Sequence, residues 1–544
     1  MTGHTIVPSP LPRVDIPGCD LPTFWLGQMR AIEAFARAQS PRPVYLDEGD
    51  GSVQLYLGQI EAMSARLAAG LYHALGVRPG NVVAVVLPNT AYYVVITLAI
   101  HMLGATCLAA NPASTERELA HQLERTATRF VIEAAAGASD AAPAPHSIAV
   151  RPMASTSARL LSSLLSDRVF PRRRLHSADE ARTTPAFICF SGGTTGLPKP
   201  TVLSHYNMVA NIVQVLAAQR QMVLPPGQPA TTLCLLPIFH SYGLVCAAYG
   251  MPLCGAAVVV MRGFTMDRFL ACIARHSVTH APLTPPLINA LSRLPPDTPA
   301  ISGLRWIVSG AGPLGDNIIQ RLEATLPDVQ VMQAYGVTEA SPGISLTTPR
   351  CRRAGASGRL LPNIDAKVID DEGRLLGPGD TGELCFRGPN VMLGYLDQPK
   401  ATREAIDSDG FLHTGDVGRI DVDGYVFVTD RKKELIKYNG FQVAPAELEA
   451  LLLLHPSVRD CAVIGVFDET RQTEFPRAYL VLDTAADRDA AAQEAVAWLD
   501  ERVAYYKRLR GGYVLVDEIP KSPAGKILRR LLRPATSSSS RVAD

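Results

Sequence analysis

The chain has 544 residues, with 52 Lys and Arg against 51 Asp and Glu for a formal charge of +1, and 47% of it is hydrophobic against 19% charged. This excludes a disordered polyampholyte. The balanced charge gives no overall field for nucleic acid or an anionic membrane, so any anion must be gripped by a local site and the expected partner is a small molecule.

The N-terminal stretch to Asp15 lacks a basic start followed by an apolar run, which argues against a secretory signal. The ten cysteines are scattered through apolar runs with no C-x-x-C pair, a pattern of buried thiols in a reducing, cytoplasmic setting. Segments 92–110 and 243–261 approach membrane-spanning length, but His101, Thr106, Tyr249, Pro252 and Gly255 mark them as core. Apolar, β-branched runs at 82–87, 187–190, 233–236 and 256–261 alternate with helical lengths such as 207–220. That alternation predicts βα units and a parallel sheet.

After about residue 350 the texture changes. Asp370 to Gly373 and Asp421 to Gly424 sit between short strand-like runs, which predicts a small antiparallel β region. Past Asp430 a new unit begins. Pro445 at a first helical position, Glu447 and Glu449 in the first turn, and Leu448, Leu451 and Leu452 on one face describe a helix that opens a compact α+β domain. Its basic final stretch, 501–534, reads as a solvated face.

Chemistry concentrates in four places. Ser191-Gly192-Gly193-Thr194-Thr195-Gly196-Leu197-Pro198-Lys199 follows a strand-like run. Its glycines let backbone N–H groups close on phosphate oxygens, its hydroxyls add donors, and Lys199 adds charge. It is not a Walker A motif, because Leu197-Pro198 separate Gly196 from Lys199. Tyr335-Gly336-Val337-Thr338-Glu339 follows another such run; Thr338 suits a phosphate contact and Glu339 a Mg²⁺ ligand. Asp416 and Arg431, flanking a predicted hairpin, suit the two hydroxyls of a ribose, although an acid and a base so spaced also describe a surface ion pair. Lys526 stands on a Pro/Gly-rich loop of the C-terminal unit, from which a docking domain can carry it into an anionic site.

Together these segments resemble the superfamily of adenylate-forming enzymes: acyl- and aryl-CoA ligases, beetle luciferases and carrier-dependent adenylation domains. The likeness is greatest to 4-coumarate:CoA ligase and its relatives, and its most specific stretches are Asp430 to Glu449 and Gly382 to Gly388. The resemblance implies an α/β fold: a large N-terminal AMP-binding domain (1–430) of two parallel βα subdomains plus a β-rich subdomain, a hinge (431–434) around Lys433, a small mobile α+β lid (435–535) and a tail (536–544).

It implies ATP, Mg²⁺ and coenzyme A as reactants, with Lys526 at the carboxylate and α-phosphate in one lid position and Lys437 and Gln442 facing the site in the other. His240 takes the family's place beside the substrate carboxylate; from the residues alone it reads as a core histidine. The acyl pocket implied by the resemblance includes Phe239, Ser241, Tyr242, Ala311, Met332, Ala334 and Pro342, mostly apolar with no acidic partner for an amino group. An aromatic, cinnamate-like or medium-chain acid fits it. Two positions depart from relatives: Pro200 replaces the usual Gly after Lys199, and Asn439 replaces a second lysine. Only 18 residues follow Lys526, too few for a fused carrier domain, so the acceptor is expected from outside: CoA first, then a free-standing carrier protein or an amine. A luciferase-like oxygenase and a nucleotide-binding pseudoenzyme are the readings of another class.

Overall fold

The computed structural model describes residues 6–35, 42–48, 52–135, 147–153, 158–191, 198–220, 222, 229–295, 298, 301–438, 441–468, 471, 473–483, 487–522 and 525–532. Two large sheets form the N-terminal body. In the first, Phe130–Ala134, Val82–Val86, Thr106–Ala109 and Pro185–Ser191 run parallel, while Lys199–Ser204 and Gly394–Tyr395 close one edge antiparallel. In the second, Gln330–Gly336, Trp306–Ser309, His280–Leu283, Thr231–Cys234, Ala257–Val260 and Tyr45–Asp47 are parallel neighbours, with antiparallel strands at both edges. The expected parallel sheets are therefore mixed. The parallel middles are double-faced and apolar, whereas the edges are made by short segments that carry no such signal.

The helix Tyr93–Met102 is buried on every side, as an all-apolar helix must be in a two-sheet body. No helix among the described residues is long and apolar enough to cross a membrane. The antiparallel region is a five-stranded sheet in which Leu412–Ile420 and Val426–Arg431 pair as a hairpin, with Asp421 to Gly424 as its turn. Its edge is Ile6–Pro8, paired with Asp365–Ile369 across most of the sequence.

The C-terminal unit has its own core, including Ile436, Val443, Leu448, Leu452, Val463, Leu480 and Leu499. Each such side chain contributes roughly 1.5–3 kcal/mol by leaving water, which supports a separately packed domain. Glu449 departs from the expected first-turn position. Glu447 occupies the first turn of Pro445–Leu452, and Glu449 is buried, ion-paired with Arg529 at 2.6 Å. The basic stretch is likewise not simply solvated: Lys507 pairs with Glu447, Lys521 with Asp460, and Arg529 with Glu434 and Glu449.

Candidate active site

Side chains from both large sheets, the five-stranded sheet and the small domain come together in one region. Ser191 ends Pro185–Ser191, buried, and its Oγ accepts from Thr201 Oγ1 at 3.2 Å. Gly192, Gly193, Thr194, Thr195 and Gly196 lie outside the described residues. Lys199–Ser204 pairs antiparallel with Pro185–Ser191, with Lys199 opposite Ser191. Pro200 fits that strand as a buried residue beside Phe190, its carbonyl accepting from Leu396 N at 2.9 Å. Lys199 Nζ lies 4.8 Å from the ring centre of Tyr395, and Tyr395 Oη donates to Glu339 Oε1 at 2.9 Å. One tyrosine thus links the loop's lysine to the candidate metal ligand. Sequence reasoning missed Tyr395, since a two-residue strand gives no periodic signal.

Glu339 sits in the short turn Thr338–Ala340 after Gln330–Gly336. Gly336 is required by close approach: a Cβ there would stand 2.1 Å from the Pro342 carbonyl oxygen. Buried Asn211 and Asn390 hold this turn through Gly343 and Ala340, at 2.8 to 3.0 Å. Glu339 therefore presents a carboxylate with one oxygen engaged by Tyr395, beside Thr338. A hard oxygen donor next to a phosphate loop fits Mg²⁺, which keeps waters and substrate phosphates as its other ligands.

Tyr335 Oη donates to Asp416 Oδ2 at 2.6 Å, and Arg431 Nε lies 3.2 Å from Asp416 Oδ1. Asp416 and Arg431 face each other in register on adjacent strands. With the Asp416 side chain only 5% exposed, this is a buried pair, not the surface pair that the spacing also allowed. Burial raises the Asp416 carboxyl above its usual range while Arg431 opposes the shift.

The small domain brings Lys526 to the same place. Its loop is tied by Ser522 N to the Lys526 carbonyl at 2.7 Å and by Lys526 N to Ser522 Oγ at 3.1 Å. Burial, then the charge of Arg431, depresses the Lys526 amine to about 8, while Glu434 and Asp416 oppose this. Lys437 and Gln442 are instead opposite one another on the hairpin Ile436–Tyr438 and Phe441–Val443, both exposed. Lys433 is exposed in the segment linking the domains, and Asn439 lies outside the described residues.

On the acyl side, His240 follows a turn fixed by buried Asn89. That side chain donates to the Met261 and Leu236 carbonyls at 2.9 and 3.0 Å and accepts from Ile238 N at 2.8 Å. Asn89 too gave no signal in the sequence. His240 Nδ1 accepts from Tyr242 N at 3.4 Å, and burial lowers its ring to about 4, so at neutral pH it is uncharged with Nε2 as the donor. Tyr242 lies against Gly310 and donates to the Val308 carbonyl at 2.9 Å. Phe239 and Ala334 are half-buried, Ala311 is exposed in a left-handed conformation, and Met332 and Pro342 are buried. The Ser241, Ser309 and Ser341 hydroxyls are buried with no partner among the described residues.

A tyrosine-held carboxylate–guanidinium pair beside the turn that carries Thr338 and Glu339, with a lysine brought to it by a second domain, is the arrangement expected of an adenylate-forming enzyme. The AMP-binding enzyme family profile matches residues 32–396, and that of the AMP-binding enzyme C-terminal domain matches 447–526. The chain belongs to the AMP-binding enzyme family, within its acyl- and aryl-CoA ligases. It is 38% identical over 503 residues to 4-coumarate–CoA ligase 5 of Oryza sativa subsp. japonica, covering 90% of each chain. It is 35% identical over 539 residues to a phenylacetyl-CoA ligase of Aspergillus niger, covering 95% of this chain and 97% of the other. Among solved structures, o-succinylbenzoate CoA synthetase from Bacillus subtilis in complex with the acyl-adenylate intermediate superposes with a TM-score of 0.75 at 26% identity, over 95% of this chain and 99% of that one. The same Bacillus enzyme in complex with ATP and magnesium ion gives 0.74 at 25% identity, over 93% and 98%.

Proposed function

We propose that this chain is an ATP-dependent carboxylate–CoA ligase that activates an aromatic, cinnamate-like or medium-chain acid as its acyl-adenylate and passes the acyl group to the CoA thiol. The observation that carries this reading is the convergence of Lys526 with Asp416 and Arg431 at the end of the strand whose Tyr335 bonds Asp416 and whose following turn carries Glu339, which Tyr395 links to Lys199. Its relatives act, by name, on 4-coumarate and phenylacetate, both aromatic acids. The ten cysteines are free thiols, which suits a reducing, cytoplasmic setting.

In the first half-reaction a carboxylate oxygen attacks the α-phosphorus of ATP, the bond to the bridging oxygen breaks, and pyrophosphate leaves. Two anions must meet, and negative charge gathers on phosphoryl oxygens. In this reading Lys526 places a cation at both anions, and Thr338 with the Ser191–Lys199 segment donates to phosphate. Asp416 accepts from the ribose hydroxyls, and neutral His240 orients the carboxylate through its Nε2 proton. Glu339 would hold Mg²⁺, which when bound neutralises pyrophosphate charge. In the second half-reaction the thiol gives up its proton, sulfur attacks the acyl carbonyl, and the bond to the AMP oxygen breaks. Lys437 and Gln442, exposed here, are assigned to that step after a swing of the small domain about 431–434.

Exchange of labelled pyrophosphate into ATP across a panel of carboxylic acids, followed by thioester formation on adding CoA, tests the reading. Exchange with aromatic acids and CoA-dependent release of AMP is the expected result. Absence of exchange throughout the panel would overturn it.

A further inference from the structure

The helix Pro285–Leu291 belongs to the body, yet both of its ends touch the small domain. At its start, the Thr284 carbonyl accepts from Ile288 N at 3.2 Å, and the Thr284 side chain packs on Gly525, the residue before Lys526. Gly525 has φ +76, and a Cβ on it would stand 3.0 Å from Thr284 Oγ1. Just past the other end, Arg293 Nη2 donates to the Val458 carbonyl at 2.6 Å and Nη1 lies 3.3 Å from Asp483 Oδ2.

Those two acceptors are neighbours in the small domain. Val458 pairs with Leu482, and Asp483 N donates to the Ser457 carbonyl at 3.0 Å. Arg293 therefore grips one end of the small-domain sheet while Thr284 meets the Lys526 loop. The helix cannot simply follow the small domain if that domain moves. Arg321 anchors it to the body, donating to Asn289 Oδ1 at 2.6 Å and to Ser292 Oγ at 3.0 Å.

We infer that Arg293 is a positioning residue that holds the small domain in the arrangement used for adenylation and thereby sets the balance between the two half-reactions. This rests on the proposed swing about 431–434. A rotation that withdraws Lys526 and brings Lys437 and Gln442 to the cleft must break both Arg293 contacts, because their acceptors travel with the small domain while Arg293 stays with the body. An interaction present in one of two states shifts their populations by its full strength. Arg293 contacts none of the groups assigned to the chemistry, so its effect passes through domain position alone. A charge-assisted bond to a carbonyl is the stronger of its two contacts, since the Asp483 side chain is half-exposed.

The test compares the full-length wild type with Arg293→Ala and Arg293→Lys. Pyrophosphate exchange with cinnamate reports adenylation, and thioester formation from synthetic cinnamoyl-AMP plus CoA reports the second step. Arg293→Ala should lower exchange by up to about tenfold, the factor that corresponds to losing about 1.4 kcal/mol. The second step should stay level or rise. Arg293→Lys should recover part of the exchange, because an ammonium still donates to the Val458 carbonyl. Amide hydrogen exchange, which needs no substrate, should speed up in 521–529 of Arg293→Ala while the strands of the body are unchanged. A parallel fall in both half-reactions, or unchanged amide exchange in 521–529, would overturn the inference. Lack of cinnamate activity in the wild type bears only on the functional reading, and the amide-exchange arm still decides the role of Arg293.

Discussion

Tyr335 Oη and Asp416 Oδ2 are 2.6 Å apart, which joins the end of a parallel strand in the second large sheet to the five-stranded antiparallel sheet. The contact fixes a buried carboxylate whose other oxygen faces Arg431. Tyr335→Phe keeps the ring and deletes the donor, leaving Asp416 with one partner fewer. Losing one hydrogen bond to a buried charged group costs about 1.5–3 kcal/mol. The expected outcome is a rise in the KM for ATP of about tenfold or more in the exchange assay, with kcat changed less.

The depressed Lys526 amine predicts a pH limb. Burial and Arg431 favour its neutral form, so the cation needed by the two anions is lost as pH rises through about 8. An unperturbed lysine would hold its charge to about 10.4. Exchange kcat/KM for the free enzyme should therefore fall above pH 8. Lys526→Ala should lose roughly 10²- to 10³-fold in adenylation while still binding ATP. Lys526→Arg should retain some activity and lack the limb, because a guanidinium does not titrate there. A pH–rate series on all three proteins checks this.

The Lys199, Tyr395 and Glu339 chain predicts a metal phenotype. Glu339→Gln removes the charge offered to Mg²⁺ and should raise the Mg²⁺ concentration for half-maximal exchange several-fold. Tyr395→Phe frees one Glu339 oxygen and leaves the Lys199 contact with the ring intact, so its effect on Mg²⁺ dependence should be smaller. Titrating Mg²⁺ at fixed ATP separates the two variants.

What the sequence made legible follows from how local each signal is. The phosphate loop, Tyr335 to Glu339 and the Lys526 loop are contiguous strings whose chemistry is visible without knowing the fold, and the hairpin at Asp421 to Gly424 is a turn signal of the same kind. The residues that position them are distant in sequence. Asn89 reaches the His240 turn from 149 positions away, and Tyr395 meets Glu339 across 56. Arg529 finds Glu449 from 80 positions away. Each is a single polar side chain brought to its partner by tertiary structure, with no periodicity to announce it. The Asp416 and Arg431 pair shows the same limit, since spacing revealed the partners and only the fold revealed their burial.

The linkage of Arg529 with Glu434 and Glu449 predicts a stability phenotype confined to the small domain. Arg529 Nη2 lies 2.6 and 2.8 Å from the two Glu449 oxygens and Nη1 lies 3.0 Å from Glu434 Oε2, while Val463 N donates to Glu449 at 2.7 Å. Where Glu449 is ionised, above about pH 7, removing its buried partner leaves an uncompensated charge and costs up to about 3–5 kcal/mol. Arg529→Met should accordingly lower the urea midpoint of the small-domain transition, and adding Glu449→Gln should restore part of the loss. Burial carries the Glu449 carboxyl up to about 7 from an ordinary 4.5. Between those values the folded chain retains a proton that the unfolded chain has released, so this group's contribution to stability weakens as pH rises from 4.5 to about 7. In Arg529→Met the opposing guanidinium is gone and the decline should continue above pH 7, whereas in the double variant it should vanish. Urea midpoints measured at pH 5, about 7 and about 8.5 would decide the matter, and a midpoint in Arg529→Met equal to that of the wild type at every pH would remove the network from the account of the domain's stability.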